Sequence, residues 1–317
     1  MAEILNLALP FFGLILLGIV AAKLWHFGEE GLLWLNTYLI YFALPALIFL
    51  VVAAAPFEQL LNWPFVSAAT SVTVIAFLTV YTVSTLLLRT PLRVAALQGT
   101  AASYGNVGYM GLPLAVAFFG SEAAVPAALV FCFDCAVQFI LTAFLATLGH
   151  EQNQRAHRGR VALLILRQIA THPFIVATVL GVVASAMQIK APGALGTMLD
   201  MLMRSAGPAA LFALGVTVGL RKFAGIGREL PLVVAMKVLM QPVLAYLLVS
   251  LVPGLPPTWL HVAVMMAALP TASNAFILAS HFNAYVEGAS TAVIVTTLLS
   301  AVSIPLLIYA IRAGVLP

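Results

Sequence analysis

The chain has 317 residues, of which 63% are hydrophobic and 8% are charged, and its formal net charge is +4 at pH 7. Because soluble domains carry about 25% charged residues, this composition excludes a soluble globular protein. The basic residues form no dense basic and aromatic surface segment, so the composition also disfavours nucleic-acid binding.

Apolar windows of roughly 20 residues follow one another along the chain, each long enough to cross about 30 Å of hydrocarbon. We therefore predict an all-α polytopic membrane protein with ten transmembrane helices. The predicted spans are 4–24, 32–53, 64–88, 94–118, 122–148, 171–188, 205–220, 230–251, 258–281 and 286–311. Residues 190–204 are expected to form a short external helix or loop. Because Glu3 stands where a signal peptide carries lysine or arginine, we expect the first window to remain a span.

The basic residues are distributed unevenly among the predicted connections. If the N-terminus lies outside, ten of them fall on the inside and three, Lys190, Arg204 and Arg312, on the outside. The inside residues are Lys23, Arg89, Arg93, Arg155, Arg158, Arg160, Arg167, Arg221, Lys222 and Arg228. The positive-inside rule therefore predicts that both termini lie outside.

The two halves of the chain share landmarks at an offset of 163 residues. Pro10-Phe11 coincides with Pro173-Phe174, Leu17-Gly18 with Leu180-Gly181, and Pro45-Ala46 with Pro208-Ala209. Five spans per half is an odd number, so the halves enter the membrane with opposite orientation, as in many secondary transporters. We predict a five-helix repeat at 1–149, a cytoplasmic linker at 150–170 and a second repeat at 171–317. Within the linker, 161–170 could form an interfacial helix.

Two of the apolar windows are interrupted at their middle, over Gly105–Pro113 and over Leu269–Phe276. Non-helical backbone at this depth is tolerated only where it is buried in protein or lines a cavity. One such break could be a packing kink, but two at corresponding positions indicate a substrate site. The N-termini of the resulting half-helices suit an anion such as a carboxylate. The candidate substrate-binding residues are Gly105, Asn106, Tyr109, Gly111, Pro113, Pro270, Thr271, Ser273 and Asn274.

Two ionisable residues lie well inside predicted spans, Asp134 in the fifth and Lys237 in the eighth. Each has a glutamine one helical turn further on, Gln138 and Gln241, so amide and charge share one helix face. Ionisable residues in a membrane interior indicate function, such as proton coupling or charge pairing with a substrate. The alternative is an Asp134–Lys237 ion pair that only fixes the packing.

The sequence contains no motif that indicates enzyme chemistry, and we expect no catalytic residues, no metal site and no cofactor. It contains no GxSxG, HExxH or Walker motif and no acidic cluster for a magnesium-bound diphosphate. Cys132 and Cys135 form a C-x-x-C pair on a membrane helix without a second pair, so we interpret them as small buried residues.

The interrupted strings resemble the bacterial auxin efflux carrier family, which includes malate and malonate permeases and is related to the plant PIN-FORMED carriers. The resemblance rests on Gly105–Leu114 followed by Phe119-Gly120, on Leu44–Phe49, and on Leu269–Phe276. It covers essentially the whole chain. Asp134 and Lys237 match no family motif, so their roles rest on their position in the membrane alone.

The resemblance implies the fold of bile acid/sodium symporters, in which the unwound centres of helices 4 and 9 cross. It implies a scaffold of helices 1, 2, 6 and 7, a mobile domain of helices 3–5 and 8–10, elevator-like movement, and a homodimer formed through helices 2 and 7. The expected function is secondary transport of small organic anions across a bacterial inner membrane, with the anion and the bilayer as partners. Two alternatives remain open: a sodium-coupled bile acid-type symporter, and a membrane enzyme or sensor that transports nothing.

Overall fold

The computed structural model describes residues 2–25, 29–148, 167, 170–189, 191–221 and 225–315, and every regular element within these ranges is a helix. The predicted linker lies almost entirely outside them, including its polar run 151–160, as do Lys190 and Lys222. The all-helical, polytopic character predicted from the sequence is therefore confirmed for the described part of the chain.

The first half of the chain contains eight α-helices, several of them joined by short turns of other helical type. They are α1 (Ala2–Leu24), α2 (Glu29–Tyr38), α3 (Leu44–Ala54), α4 (Phe57–Leu60), α5 (Trp63–Leu86), α6 (Leu92–Ser103), α7 (Leu112–Phe119) and α8 (Ala124–Leu148). A π-helical turn at Leu39–Ala43 joins α2 to α3, and another at Val107–Gly111 leads into α7. A 3₁₀ turn at Ser121–Ala123 precedes α8.

The described residues of the second half contain seven α-helices. They are α9 (Pro173–Ala186), α10 (Gly193–Leu220), α11 (Leu230–Ala235), α12 (Gln241–Val249), α13 (Pro257–Ala267), α14 (Ser273–His281) and α15 (Val286–Arg312). A π-helical turn at Met236–Met240 joins α11 to α12.

Six helical stretches of the described chain are long and apolar enough to cross a membrane. They are Glu30–Ala54, Phe57–Leu86, Ser121–Thr147, Gly193–Leu220, Leu230–Val249 and Val286–Arg312. Four shorter apolar stretches, Leu9–Leu24, Val107–Phe119, Pro173–Ala186 and Pro257–Ala267, fall at the other predicted spans. Length and composition thus support six spans directly, and the total of ten stays a prediction.

The predicted external segment at 190–204 is wrong over most of its length, because α10 runs without interruption from Gly193 to Leu220. Asp200 and Arg204 are the two charged residues of α10 that precede the predicted seventh span. They lie one helical turn apart and form an exposed ion pair of 2.7 Å between the Arg204 Nε and Asp200 Oδ2 atoms. An ion pair between residues four positions apart stabilises the exposed face of a helix, which is consistent with a helix that continues through these two residues.

Each of the three π-helical turns is followed by an α-helix whose second residue is proline: Pro45 in α3, Pro113 in α7 and Pro242 in α12. Proline lacks the backbone donor, and its ring clashes with the carbonyl group four residues earlier. A π turn is a local widening of the helix that relieves this clash. The three π turns therefore coincide with prolines, whereas Pro10, Pro208 and Pro305 lie inside continuous α-helices.

Two helix pairs approach each other closely at glycine. A Cβ atom on Gly18 of α1 would lie 2.2 Å from the carbonyl oxygen of Phe212 in α10, so only glycine fits. A Cβ on Gly181 of α9 would lie 2.8 Å from the Val52 Cβ and 3.2 Å from the Phe49 carbonyl oxygen, both in α3. The 163-residue offset converts Gly18 to Gly181 and Phe49 to Phe212. The two contacts are therefore equivalent under the sequence repeat.

Candidate functional site

The two interrupted helices meet at their breaks, which form an antiparallel bridge between Gly105 and Thr271. The backbone N–H of Asn106 donates to the carbonyl oxygen of Pro270 at 2.8 Å, and the N–H of Ala272 donates to that of Tyr104 at 2.8 Å. This crossing satisfies backbone groups that have left their helices, as a buried site requires. It also brings into contact residues that lie more than 160 positions apart in the sequence.

A pocket opens beside the crossing, with about 310 Å³ of empty space including its mouth. Five of the nine predicted substrate-binding residues line it: Gly105, Asn106, Tyr109, Ser273 and Asn274. The other lining residues are Tyr104, Val107, Gly108, Phe131, Cys135, Phe174 and Ala272. The pocket thus has aromatic and small apolar walls around a few uncharged polar groups, which is the composition expected of a small-molecule site.

Two polar side chains of this pocket have no hydrogen-bond partner. The Nδ2 atom of Asn106 is buried without an acceptor, although the residue is only 5% exposed. The Oγ atom of Ser273 is likewise buried and unpartnered. An unsatisfied buried polar group costs about 1–3 kcal/mol, so each such group in a folded protein needs an explanation. Both would be satisfied by a ligand with hydrogen-bonding oxygens.

Asn274 and Tyr104 form a connected pair on the same wall. The Nδ2 of Asn274 donates to the Tyr104 hydroxyl oxygen at 3.1 Å, and this hydroxyl also lies 3.3 Å from the Sγ of Cys135. Asn274 is thus oriented by the protein, whereas the amide of Asn106 is free. The two asparagines line one pocket, but the Nδ2 of Asn274 has a partner in the protein and the Nδ2 of Asn106 has none.

Two half-helices begin at the pocket. One starts at Val107 and continues to Phe119, and the other is α14, which starts at Ser273. Neither preceding residue, Asn106 or Ala272, caps its helix with a side-chain hydrogen bond. The first N–H groups of a helix have no internal partner and carry about half a positive charge, so they attract anions. The N-terminal ends of two half-helices, each with a partial positive charge, therefore lie at the pocket.

On the other side of the crossing, the C-termini of α6 and α13 are capped by the side chains of Gln241 and Lys237, which are almost fully and fully buried. The Lys237 Nζ donates to the carbonyl oxygen of Ala267, the last residue of α13, at 2.8 Å, and also to the Oε1 of Gln241. The Nε2 of Gln241 donates to the carbonyl oxygen of Ser103, the last residue of α6, at 3.0 Å. The predicted pairing of lysine and glutamine on one helix face is therefore present.

Asp134 is buried on α8 and accepts a hydrogen bond of 2.8 Å at Oδ1 from the hydroxyl of Thr73. The structure shows no ion pair within 4 Å between Asp134 and Lys237, whose hydrogen bonds go to Thr73 and to Gln241 and Ala267 respectively. A second cavity is lined by Thr73, Asp134, Gln241 and Ala267 together with five apolar residues, and its empty space of about 240 Å³ includes its mouth. Gln138 turns elsewhere and donates to the Ser103 hydroxyl at 2.6 Å.

The remaining predicted residues surround the pocket without lining it. The Thr271 hydroxyl donates to the Ala101 carbonyl oxygen at 2.7 Å, while its N–H donates to Thr296, so its polar groups hold the crossing. Pro270 accepts the bridge hydrogen bond described above. A Cβ on Gly111 would lie 2.5 Å from the Met266 sulfur. Pro113 packs 3.2 Å from the position that a Cβ on Gly207 of α10 would take.

Sequence reasoning missed four residues of the pocket wall that come from outside the breaks: Tyr104, which directly precedes the first break, and Phe131, Cys135 and Phe174. Phe131 and Cys135 lie four residues apart on α8, so they share a helix face, and Phe174 begins α9. Two signals were available: the four-residue spacing, and the repeat that matches Phe174 with Phe11. Cys132 and Cys135 are free thiols. In the described part of the chain, no three His, Cys, Asp or Glu residues are grouped as a metal site would need.

Comparison with known proteins agrees with this architecture. The family described as "Membrane transport protein" matches residues 4–308, which is nearly the whole chain. The chain belongs to this family. It is the auxin efflux carrier family that the interrupted strings resemble, and its members are transporters and not enzymes. The membrane enzyme and the non-transporting sensor are thereby set aside.

Three relatives illustrate the breadth of the similarity. A protein of Rhizobium meliloti (strain 1021) named "Putative malonate transporter" is 42% identical over 318 residues, which cover 100% of this chain and 98% of the relative. An "Uncharacterized transporter" of Methanothermobacter thermautotrophicus is 28% identical over 92% of this chain and 93% of its own. The "Uncharacterized transporter YfdV" of Escherichia coli (strain K12) is 24% identical over 96% of both chains.

Proposed function

We propose that this membrane transporter carries small carboxylate anions, with malonate as the first candidate substrate. The observation that carries the proposal is the pocket at the crossing, where two half-helix N-termini meet the unpartnered groups of Asn106 and Ser273. Helix N-termini and free donors together form a site for a negatively charged ligand. The name of the Rhizobium meliloti relative supports malonate.

The pocket lining contains no charged side chain, so no carboxylate of the lining repels a small anion. Two helix ends of about half a unit each compensate about half of the charge of a dianion, and hydrogen bonds from amide and hydroxyl groups stabilise its oxygens further. Each carboxylate of malonate can face one half-helix. A site without a fixed lysine or arginine also lets the anion leave again, which a carrier requires.

We further propose an elevator mechanism with two inverted repeats. The equivalent contacts at Gly18 and Gly181 support the repeat, and their tight packing joins α1 to α10 and α9 to α3 into one candidate scaffold. The pocket lies where this scaffold meets the crossing, since Phe174 of α9 lines it and the Tyr109 hydroxyl donates to Asn36 of α2 at 3.1 Å. In this proposal the crossing moves against the scaffold and carries the anion with it.

The oligomeric state, the location and the coupling group remain part of the proposal. We propose a homodimer formed through predicted transmembrane helices 2 (32–53) and 7 (205–220), which the family resemblance supports. We also propose that the protein lies in a bacterial inner membrane with both termini outside, an orientation that the charge distribution supports. Asp134 and Lys237, with Gln138 and Gln241 as accessories, are the candidates for coupling anion movement to protons, because they are the ionisable residues buried beside the crossing.

The test is uptake of radiolabelled malonate by proteoliposomes containing the purified protein, with malate, acetate and taurocholate as competitors. We expect saturable uptake that malate inhibits and that taurocholate does not, at equal rates in sodium and choline media. Protein-free liposomes are the control. Absence of saturable uptake for every carboxylate tested would refute the substrate class. Sodium-dependent taurocholate uptake would establish the bile acid-type alternative instead.

A further inference from the structure

The crossing has a negative side as well as a positive one, and a single cation lies there. The carbonyl oxygen of Ala267 accepts directly from the Lys237 Nζ, and the carbonyl oxygen of Ser103 accepts from Gln241, whose own Oε1 accepts from Lys237. The last carbonyl groups of α13 and of α6 are therefore both connected to one amino group.

The position of Lys237 is fixed by the crossing itself. The residue is 0% exposed, and a Cβ on Gly105 would lie 3.1 Å from its Nζ. Each half-helix C-terminus carries about half a negative charge, so two of them together present about one unit. One ammonium group matches this charge. The arrangement thus balances two helix ends that would otherwise be uncompensated in a buried, low-dielectric site.

We propose that the Lys237 ammonium is a tethered substitute for a free metal cation at the crossing. Without this side chain, the Ala267 carbonyl oxygen and the Gln241 Oε1 lose their donor, and both residues line the second cavity opposite the Asp134 carboxylate. These oxygen atoms lie beside a small cavity that has room for one small ion, and oxygen ligands are those that hard cations such as Na⁺ prefer. The native crossing is therefore complete without sodium, and loss of Lys237 makes it sodium-dependent.

This inference concerns the structure of the crossing and is independent of the substrate. Of the two coupling candidates named above, it favours Asp134, because Lys237 would keep its charge throughout the transport cycle and serve as a positioning residue. An ion pair between the two residues would predict instead that removing both is better tolerated than removing one.

The experiment compares thermal unfolding of purified wild type, Lys237→Ser, Lys237→Arg and Lys23→Ser in detergent without substrate. Each is measured from 1 to 100 mM NaCl, with choline chloride keeping the ionic strength constant. Lys23 is an exposed lysine at the end of α1, so its variant controls for general loss of a positive charge. Proteins prepared in choline and in sodium are compared for yield.

We expect the melting temperatures of wild type, Lys237→Arg and Lys23→Ser to be equal in both salts. That of Lys237→Ser should be lower in choline and rise in a saturable way with Na⁺, by roughly 3–6 °C at 100 mM if the affinity is millimolar. A sodium-specific rise in the wild type would overturn the proposal. So would a Lys237→Ser protein that is indifferent to sodium, or one that cannot be recovered folded in either salt.

Discussion

The replacement of Asn106 by alanine separates ligand binding from stability more sharply than other changes at the crossing. Its side-chain Nδ2 has no partner in the protein, while its backbone N–H and carbonyl oxygen make the bridge and the first helical hydrogen bonds. Alanine keeps these backbone contacts. The unliganded protein therefore loses no side-chain donor bond and is relieved of an unsatisfied buried group, which costs about 1–3 kcal/mol.

The expected effect on binding has the opposite sign. A hydrogen bond to a charged group contributes about 1.5–3 kcal/mol, so Asn106→Ala should weaken carboxylate binding by about 10- to 150-fold. The melting temperature without ligand should be unchanged or slightly higher. Thr271→Ala is the matched control, because its hydroxyl bonds to Ala101 outside the pocket. That variant should lose about 1 kcal/mol of stability while its affinity stays near the wild-type value.

Affinity is measured by calorimetry with malonate, or with whichever acid of the uptake panel binds most tightly, and unliganded stability is measured by thermal unfolding. Asn274→Ala should fall between the two variants, because its amide both lines the pocket and bonds to Tyr104. If Asn106→Ala and Asn274→Ala both bind the acid as tightly as wild type, the crossing is not the site. Equal losses of stability and affinity in Asn106→Ala would mean that its amide has a structural partner.

The remaining predictions concern helix packing, the buried carboxylate and the membrane topology. Gly18→Ala should destabilise the protein by about 1–3 kcal/mol or prevent folding, because its Cβ would meet the Phe212 carbonyl oxygen. The control is Gly13→Ala on the same helix, whose Cβ would have nothing within 4 Å and which should be neutral or stabilising in thermal unfolding. Equal effects of the two substitutions would contradict the packing. Asp134→Asn should fold, since an amide oxygen can still accept from Thr73, but its uptake should lose its dependence on pH; an unchanged pH profile would rule out coupling through this residue. A cysteine at Gly314, in a background without the two native cysteines, should react with an impermeant maleimide from outside intact cells; labelling only after permeabilisation would reverse the proposed topology.

The class of the protein and the location of its breaks could be read from the sequence because both depend on local chemistry. An apolar window long enough for a bilayer is a property of about 20 consecutive residues. Proline removes a helical hydrogen bond locally and occurs in both breaks. Pro10, Pro208 and Pro305 nevertheless lie inside helices that continue past them, so proline alone does not decide where a helix breaks. The segment at 190–204 was predicted as an element separate from the seventh span, but from Gly193 it belongs to α10, where Asp200 and Arg204 pair on an exposed helix face.

Which polar residues face the pocket and which ones hold the crossing together was decided by the tertiary structure alone. Asn106 and Thr271 lie in equivalent breaks with similar polarity, yet one amide faces the pocket unpartnered and the other residue holds the backbone crossing. Lys237 and Gln241 could be paired from their four-residue spacing. Their other partners, Ala267 and Ser103, lie 30 and 138 residues away in sequence, and no local pattern indicates such contacts.

The sequence by itself thus determined that this chain is a membrane-embedded helical protein with two interrupted helices and two buried ionisable groups. The tertiary structure decided that the positive half-helix ends meet at a pocket and that the negative ends meet at Lys237. The reason is physical: hydrophobicity and helix breaking are properties of consecutive residues, whereas compensation of helix ends depends on which distant segments the fold brings together.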